Sequence, residues 1–307
     1  MPSPAPTNSC GCCGHAGWRL LGTQWGRHLR REFSYWRCAA CGFVRVEPFA
    51  GYAIYDDAYY AGRGADPFVD YAAEYRDYRQ TDREIEFADV SRVVGRRLTE
   101  RGARGEISWL DYGCGAGGLL KYLRAAGAIA TGGGELPLRL AGHDVGAYAD
   151  RLRTADGFSI LGGDELDALP AGSFDVITLI EVIEHIPDPG TIVARCARLL
   201  RPGGVLLLTT GNFDCPVARV RGLAYRYCIP EIHVSLFCPS SLAALYARHG
   251  LTAWTTRYDG VVRFKVLKGL PAAWRPVARR VLKWPGITRL IDRAYGVSAM
   301  PSACLTT

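Results

Sequence analysis

Two cysteine pairs have the residue types and the spacing of a metal site. Cys10 and Cys13 form one Cys-x-x-Cys pair, Cys38 and Cys41 form the other, and a glycine follows each pair. The two thiolates of a pair can lie on one tight turn, and two such turns can close a tetrahedral set of sulfur ligands, the usual coordination of structural zinc. Four protein ligands leave no coordination position for a substrate. The sequence therefore predicts one structural zinc ion.

Other uses of these cysteines stay open. Cys12 and His15 lie beside the first pair and are rival ligands, although neither has a counterpart beside the second pair. Free thiols are another interpretation, and a redox pair is a third, but neither pair begins a helix in a strand–helix–strand pattern. The chain has eleven cysteines and shows no export signal, which favours metal binding in a reducing, cytoplasmic compartment over disulfides.

A glycine-rich segment, DYGCGAGG at 111–118, follows a short apolar run. Glycine lets the backbone turn sharply and approach a ligand that a Cβ atom would exclude. Gly113, Gly115 and Gly118 also satisfy the GxGxxG pattern of dinucleotide sites, so a nicotinamide cofactor is one interpretation of this loop. The loop predicts a ligand site without identifying the ligand.

Two of the six histidines, His185 and His233, lie where loops are expected to meet that ligand. Imidazole titrates near neutral pH, so either side chain can accept a proton during a reaction. The alternative is that each histidine only hydrogen-bonds its own loop. Cys114 and Cys228 are interpreted as packed thiols, because neither has a recognisable activating set around it.

An alternation of apolar runs and helical segments must position these residues. Strands are predicted at Ile107–Asp111, Leu138–Asp144, Phe158–Leu161, Phe174–Ile180, Val205–Thr210, Leu251–Tyr258 and Val261–Leu267. Helices are predicted at Thr81–Glu100, Gly118–Ala126, Pro189–Leu200 and Pro239–Arg248. This alternation predicts an α/β fold with a parallel sheet and with ligands at the carboxyl ends of the strands.

Five segments are predicted along the chain. They are a disordered leader (1–9), a zinc-binding module (10–50), a tyrosine-rich and helical connection on the acceptor side (51–100), the main domain (101–268) and a basic C-terminal extension (269–307). The tyrosines and acids of residues 52–78 can line a polar cleft or cap the core, and both interpretations stay open. No apolar run approaches the roughly 18 residues that a membrane span needs, so we expect a soluble protein.

The net charge of +7 comes from one part of the chain. Residues 263–293 carry nine basic residues and one acid, and the rest is close to neutral, which argues against a general nucleic-acid binder. Within residues 272–293 the cations alternate with tryptophan and aliphatic residues, a pattern that suits a membrane surface, an acidic carrier protein or a diphosphate-bearing substrate. A terminal helix with a solvated basic face is the preferred interpretation.

The glycine loop and two later segments resemble the class I S-adenosylmethionine-dependent methyltransferases. DYGCGAG at 111–117 is similar to their D-x-G-C-G-x-G loop, and EVIEH at 181–185 is similar to their E-V-x-E-H segment. The resemblance continues through SFDVITLIEVIEHIPDP and LLRPGGVLLLTT and covers roughly residues 107–251. It implies a Rossmann-like fold with a mostly parallel seven-stranded sheet, S-adenosylmethionine as cofactor and methyl transfer as the reaction, with zinc only structural.

The resemblance also implies the cofactor contacts. Asp111 is expected to orient the loop and hold the methionine ammonium, and Glu181 to form part of the floor below the sulfonium. Asp164, with Glu165 as its near rival, resembles the acid that meets the adenine amino group. The turn itself is expected to use Gly113, Gly115 and Gly117.

One further acid, at the end of the second strand, is expected to accept both ribose hydroxyls. Glu135 lies at the more usual separation from the glycine loop, whereas Asp144 ends a better strand. We favour Asp144 and interpret residues 129–137 as an inserted loop.

Two resemblances suggest catalytic groups. The segment EIHVSLF around His233 resembles the H-x-x-x-F stretch of zinc-containing sugar C-methyltransferases, in which that histidine is assigned as the base. Those enzymes carry glutamate directly before the histidine, whereas this chain has Ile232 there and Glu231 one place earlier. His185, with Glu181 and Glu184, resembles the E-x-x-E-H set by which some quinone-pathway O-methyltransferases bind a divalent ion. In the wider group the same residues only support the sheet edge.

These observations support one main function and two alternatives. The main one is methyl transfer to a carbon or oxygen of a small molecule, a sugar unit or secondary metabolite, with a nucleotide-linked sugar or carrier-bound metabolite as the acceptor form. One alternative is a non-catalytic cofactor-binding partner in a biosynthetic complex. The other is a metal-assisted O-methyltransferase of a phenolic or quinone-type acceptor. No nucleic-acid partner is expected.

Overall fold

The computed structural model describes residues 2–66, 70–81, 83–254, 267, 270–282, 284–295 and 302–305. Within these residues the chain forms two β-sheets with helices packed around the larger one. Among the described residues, no helix combines the length and the apolar composition needed to cross a bilayer.

The N-terminal module is built on a four-stranded antiparallel sheet of order β1-β2-β3-β10. Its strands are β1 (Trp18–Gly26), β2 (Arg31–Cys38), β3 (Val44–Glu47) and β10 (Ser235–Leu236). The last of these comes from far along the chain, so the module's sheet is completed by the main domain. The expected leader lies against this module, because the N–H of Ser3 donates to the Ser34 hydroxyl and the Trp18 indole donates to the carbonyl of Asn8.

The larger sheet has the strand order β11-β12-β9-β8-β4-β6, with β5 and β7 both pairing with β6. Its strands are β4 (Ile107–Tyr112), β5 (Ala128–Thr131), β6 (Gly134–His143), β7 (Ser159–Ile160), β8 (Phe174–Ile180), β9 (Leu200–Thr209), β11 (Leu251–Trp254) and β12 (Ser302–Leu305). Strands β4, β6, β7, β8 and β9 run parallel, and β12 is antiparallel to both of its neighbours. The predicted α/β fold with a mostly parallel sheet is confirmed.

The sheet has eight strands among the described residues, and two of them, β5 and β12, were not predicted. Strand β5 belongs to the segment 129–137, which we interpreted as a loop and which instead forms a hairpin. Ala128 pairs with Pro137 and Thr131 with Gly134, and the turn is closed because the Thr131 hydroxyl donates to the Gly134 carbonyl. The hairpin therefore lengthens the start of β6.

The C-terminal boundary of the main domain also needs correction. Residues 302–305, which we assigned to the basic extension, pair with both β9 and β11 and so belong to the main sheet. The predicted strand 261–267 lies almost entirely outside the described residues.

Helices cover the larger sheet and carry its loops. They are α1 (Asp57–Tyr60), α2 (Tyr71–Asp77), α3 (Arg83–Glu100), α4 (Gly118–Ala126), α5 (Ala149–Thr154), α6 (Gly163–Ala168), α7 (Pro189–Leu199), α8 (Pro216–Arg221), α9 (Pro239–Arg248), α10 (Arg275–Val281) and α11 (Pro285–Tyr295). Strand β4 is buried along its whole length, as expected for a central parallel strand covered on both faces. The loops that follow β4, β6, β8 and β9 open at one edge of this sheet.

Candidate active site and zinc site

The four cysteines of the N-terminal module lie together. Their sulfur atoms are all within 4.8 Å of one another, and the pairs Cys10–Cys41 and Cys13–Cys38 are each separated by 3.6 Å. Sulfur atoms about 2.3 Å from a tetrahedral zinc ion would be about 3.8 Å apart, so the donor set fits this metal. Zinc binding itself stays a prediction.

The two cysteine turns have the same backbone form. Gly14 and Gly42, one residue past each pair, have φ values of 77° and 81°, and each N–H donates to the carbonyl of the first cysteine of its pair. Cys12 is buried beside the cluster without belonging to the four-sulfur group, and His15 is exposed. The structure therefore brings together the four expected ligands, with the Cys12 thiol in contact with Cys10 and Cys41 but outside the four-sulfur group.

The module is joined to the main domain close to His233. Strand β10 begins two residues after His233 and pairs with β3, with Ser235 opposite Arg45. The N–H of Val46 also donates to the carbonyl of Val234 at 2.9 Å. The loop that carries His233 is thus held by the four-stranded sheet of the N-terminal module, which also carries the cysteine turns.

The glycine loop after β4 adopts a backbone conformation that would be strained for residues other than glycine. Gly113, Gly115 and Gly117 all have positive φ, between 53° and 79°. A Cβ atom on Gly113 would lie 2.4 Å from a methyl group of Val182, and one on Gly117 would lie 2.4 Å from a methyl group of Leu152. The loop therefore needs glycine both for its conformation and for its close approach to neighbouring side chains.

The N–H groups of this loop are used within the protein. Those of Gly113 and Cys114 donate to the carbonyl of His143, and that of Gly117 donates to the carbonyl of Cys114. The N–H of Gly115 donates to a carboxylate oxygen of Asp144 at 2.8 Å. A dinucleotide pyrophosphate would need such amides as donors, so this arrangement favours a cofactor without phosphates.

Asp144 and Glu135 occupy opposite ends of β6. Asp144 follows the carboxyl end of the strand, lines the cavity, and accepts hydrogen bonds from the N–H groups of Gly115 and Gly146. Glu135 is exposed in the hairpin, paired with Ala130. The structure therefore places Asp144, and not Glu135, beside the glycine loop, where a carboxylate can accept hydroxyl donors.

Asp111 lies at the end of β4, almost completely buried behind the loop. One carboxylate oxygen accepts a hydrogen bond from the Thr178 hydroxyl at 2.8 Å. Burial raises the pKa of Asp111 to about 7, and the Thr178 hydrogen bond opposes that shift. A cationic ligand group near this carboxyl would favour its ionised form.

The two remaining expected cofactor residues are placed differently. Asp164 is exposed near the start of α6, where the cavity wall is formed by Gly163. Glu181 lines the cavity directly after β8, with φ of 54°, and its N–H donates to the carbonyl of Thr209. A positive φ is uncommon for a residue other than glycine and marks a constrained position.

A cavity of about 1330 Å³ opens at the carboxyl ends of the parallel strands. The glycine loop, Asp144 and Glu181 line one part, and His185 and His233 line another. Part of the wall is aromatic and is formed by Tyr52, Tyr55, Tyr59, Tyr60 and Tyr71. These tyrosines also pack on one another, so the segment 52–78 lines a cleft and contributes core contacts.

The two histidines are fixed by backbone carbonyls. Nδ1 of His233 lies 2.6 Å from the carbonyl of Tyr227, and Nδ1 of His185 lies 3.0 Å from that of Ile232. A carbonyl only accepts hydrogen bonds, so we assign the proton to Nδ1 in both rings, which leaves the lone pair of each neutral imidazole on Nε2. Burial lowers the pKa of His185, which favours this neutral form.

A buried carboxyl lies beside the histidines. Glu184 accepts hydrogen bonds from the hydroxyls of Tyr227 and Thr210, and burial together with Glu181 raises the pKa of Glu184. One ligand atom from each of Glu184, His185 and His233 lies within 4.8 Å of the others. The sequence suggested a metal-binding set of Glu181, Glu184 and His185. The structure instead groups Glu184 and His185 with His233, and Glu181 is not part of this group.

Glu231, the acid next to the expected catalytic position, faces the N-terminal module. It is buried, and its carboxylate accepts a hydrogen bond from the N–H of His28 at 2.9 Å. It therefore anchors the β1–β2 turn, and Glu184 is the carboxyl that accompanies His233.

Sequence reasoning missed several residues of this site. Tyr227 stacks on His233 with ring centroids 4.2 Å apart, and the hydroxyl oxygen of Tyr55 lies 2.9 Å from Nδ1 of His185. Arg83 also lines the cavity, in ion pairs with the buried carboxylates of Glu74 and Glu86. Only Tyr55 had a sequence signal, its place in the tyrosine-rich segment.

Comparisons with known proteins find similar methyltransferases. A family model described as a methyltransferase domain matches residues 77–256. A ubiquinone biosynthesis O-methyltransferase of Hahella chejuensis is 38% identical over 143 residues, 44% of this chain and 57% of the relative. One from Pseudomonas paraeruginosa is 36% identical over 144 residues, 44% of this chain and 59% of the relative. The chain thus spans just over half the length of these curated relatives.

A solved geranyl diphosphate methyltransferase in complex with GPP and sinefungin is 16% identical, with a TM-score of 0.46, covering 72% of this chain and 78% of that chain. The family match extends over more than half of the chain and includes the glycine loop, β6 and the segment that carries Glu181 to His185. The chain belongs to the class I S-adenosylmethionine-dependent methyltransferases.

Proposed function

We propose that this protein transfers the methyl group of S-adenosylmethionine to a hydroxyl oxygen of a small molecule held in the cavity. The observation that carries the proposal is the pair of imidazoles in the cavity wall, half-buried His185 and buried His233, whose Nδ1 atoms lie against backbone carbonyls. The O-methyltransferase names of the two relatives support oxygen over carbon as the acceptor atom.

The cofactor would be held at the glycine loop. Asp144, already oriented by two backbone N–H groups, offers carboxylate lone pairs to the ribose hydroxyls. Asp111 stabilises the methionine ammonium from behind the loop, and Glu181 forms the floor where the methyl group is presented. Asp164 remains the residue proposed to accept a hydrogen bond from the adenine amino group. It lies at the edge of the cavity, next to Gly163.

The chemistry needs one proton acceptor. S-adenosylmethionine supplies an electrophilic methyl group bound to a positively charged sulfur. His233 takes the hydroxyl proton on Nε2 while the oxygen forms its bond to the methyl carbon, and the electron pair of the broken carbon–sulfur bond stays on sulfur. Stacking on Tyr227 and the hydrogen bond from Nδ1 hold the ring in one orientation. His185 is the second candidate for the same role.

The acceptor class is proposed from the shape and chemistry of the wall. Tyrosine rings and hydroxyls suit a sugar ring or a phenol, because both combine a flat or apolar face with hydroxyl groups. Mass spectrometry of acceptor panels incubated with methyl-labelled cofactor tests this assignment. Cofactor binding without any methylated product in such panels would support the non-catalytic alternative.

A second candidate mechanism is favoured by the same cluster. Glu184, His185 and His233 offer a carboxylate oxygen and two imidazole nitrogens, a donor set that can hold a divalent cation. Such an ion would acidify a phenolic hydroxyl instead of leaving the proton to histidine alone. Metal analysis distinguishes the two mechanisms. One zinc per chain fits histidine as the base, whereas a second metal that disappears in His185→Ala fits metal assistance.

A further inference from the structure

The C-terminal helices present an exposed apolar stripe. Trp274, Val277, Val281 and Trp284 are 64%, 56%, 43% and 70% exposed, at intervals of three, four and three residues. Leu282, between them in sequence, is only 2% exposed and packs toward the protein. Five of the eleven large exposed apolar side chains in the described residues lie within residues 274–290. Apolar side chains of this segment are therefore exposed to solvent, which the interpretation as a terminal helix with a solvated basic face does not explain.

Cations surround this stripe. Arg280, Arg289 and Arg293 are exposed, and residues 272–293 carry six basic residues and one acid in the sequence. Helix α11 contacts α8, where Val220 is 88% exposed between the exposed side chains of Arg219 and Arg221. A main-domain helix with an exposed apolar side chain and two exposed arginines is thus adjacent to the C-terminal segment.

We propose that this surface, residues 274–293 with Val220 and its neighbouring arginines, docks on a lipid bilayer that contains anionic headgroups. Tryptophan at the ends of an apolar stripe is typical of a segment that lies in the bilayer interface, and arginines around it complement negative headgroups. Tryptophan and arginine are also enriched in protein–protein interfaces, but the excess of six basic residues over one acid in residues 272–293 favours an anionic surface. An acidic protein or a second copy of this chain are therefore alternative outcomes of the test.

Docking would have a consequence for the cavity. Leu270, Arg275 and Ile291 of the same C-terminal region line it. A chain docked through this surface holds that side of the cavity near the headgroups, where an amphiphilic acceptor would be concentrated. The docking proposal does not depend on the proposed methyl transfer.

Co-sedimentation of the full-length chain with vesicles tests this proposal. One set of vesicles is phosphatidylcholine alone, and the other contains roughly one-third phosphatidylglycerol. We expect binding to the anionic vesicles that weakens with added salt and falls at least about tenfold in the double variant Trp274→Ser/Trp284→Ser. The matched control is Trp25→Ser, because Trp25 is similarly exposed, at 62%, in β1. This control should bind like the unmodified chain.

Thermal unfolding and cofactor affinity of the double variant should stay close to those of the unmodified chain, which separates loss of docking from loss of fold. The proposal is overturned if the chain stays in the supernatant with both vesicle types. It is equally overturned if the double variant binds as well as the unmodified chain. A dimer that is lost in the double variant, without vesicle binding, would assign the surface to a second copy instead.

Discussion

The N–H of Val46 donates a hydrogen bond of 2.9 Å to the carbonyl of Val234, the residue that follows His233. Val46 belongs to β3, which the second cysteine turn precedes by only a few residues. The second cysteine turn and the proposed base are therefore connected through one short strand. This connection predicts that the zinc module influences turnover as well as folding.

Replacing Cys38 with serine tests this connection. We expect the variant to lose about one zinc per chain and to unfold at lower temperature, because the bound metal would tie the two cysteine turns to each other in the folded state only. Turnover should fall more than cofactor affinity, because β10 and the His233 loop lose their partner strand. Metal analysis, thermal unfolding and separate kcat and Kd measurements provide the readouts.

Cys12→Ser is the matched control for that variant. Cys12 is buried beside the cluster but is not one of its four sulfurs, so zinc content should be retained. Full zinc occupancy in a variant that lacks both Cys10 and Cys38 would rule out the proposed site.

Cofactor affinity should depend on Asp144. Asp144→Ala removes the acceptor for the Gly115 and Gly146 N–H groups as well as the proposed ribose contact. We expect Kd for S-adenosylmethionine to rise at least roughly tenfold, since hydrogen bonds to a charged group contribute about 1.5–3 kcal/mol. Isothermal titration calorimetry measures this Kd directly.

Glu135→Ala is the control, since this exposed side chain lies in the β5–β6 hairpin at the other end of the strand. Its affinity should match that of the unmodified chain. If Glu135→Ala weakened binding while Asp144→Ala did not, the assignment of the second strand's acid would be wrong.

The pH dependence of cofactor binding should report Asp111. Its pKa is about 7 in the folded protein against 3.8 in the unfolded chain. The folded carboxyl binds its proton more tightly, so Asp111 makes the ligand-free protein less stable as pH rises from about 4 through 7. A bound ammonium favours the ionised carboxylate, so cofactor affinity should increase from about pH 6 to about pH 7.5.

Asp111→Asn provides the comparison. The amide cannot ionise, so both the rise in affinity and this contribution to the fall in ligand-free stability should flatten. Titration calorimetry and thermal unfolding at several pH values give independent readouts. An unchanged pH dependence of affinity in Asp111→Asn would show that another group governs it.

Local sequence patterns correctly predicted those features whose conformation is determined by neighbouring residues in the sequence. The cysteine turns and the glycine loop each need particular residues at fixed spacing for backbone reasons, and the sequence displays these directly. Strands β4, β6, β7, β8 and β9 were predicted from apolar runs. Asp144 was preferred over Glu135 because it ends such a run, and the structure places it beside the loop.

Other features depend on contacts between distant segments, and the sequence did not predict them. The cluster of Glu184 with His233 joins residues 49 positions apart through a loop held by β3. Strand β12 follows the basic helices in the sequence and pairs with β9. It is only four residues long, so it gives no extended apolar run by which it could be predicted. Residues 129–137 contain glycines that suit a loop, but the antiparallel pairing of Ala128 with Pro137 makes them a hairpin.

The central claim is that His233 accepts a proton during methyl transfer, and the most direct measurement is single-turnover methylation with labelled S-adenosylmethionine. Once an acceptor is identified by mass spectrometry, His233→Ala should transfer the label at least about 10²-fold more slowly at unchanged cofactor Kd. The limb of the rate–pH profile near the histidine pKa should also disappear. His185→Ala, measured alongside, shows whether the neighbouring imidazole has this role instead. A normal transfer rate with a surviving pH limb in His233→Ala would contradict the account.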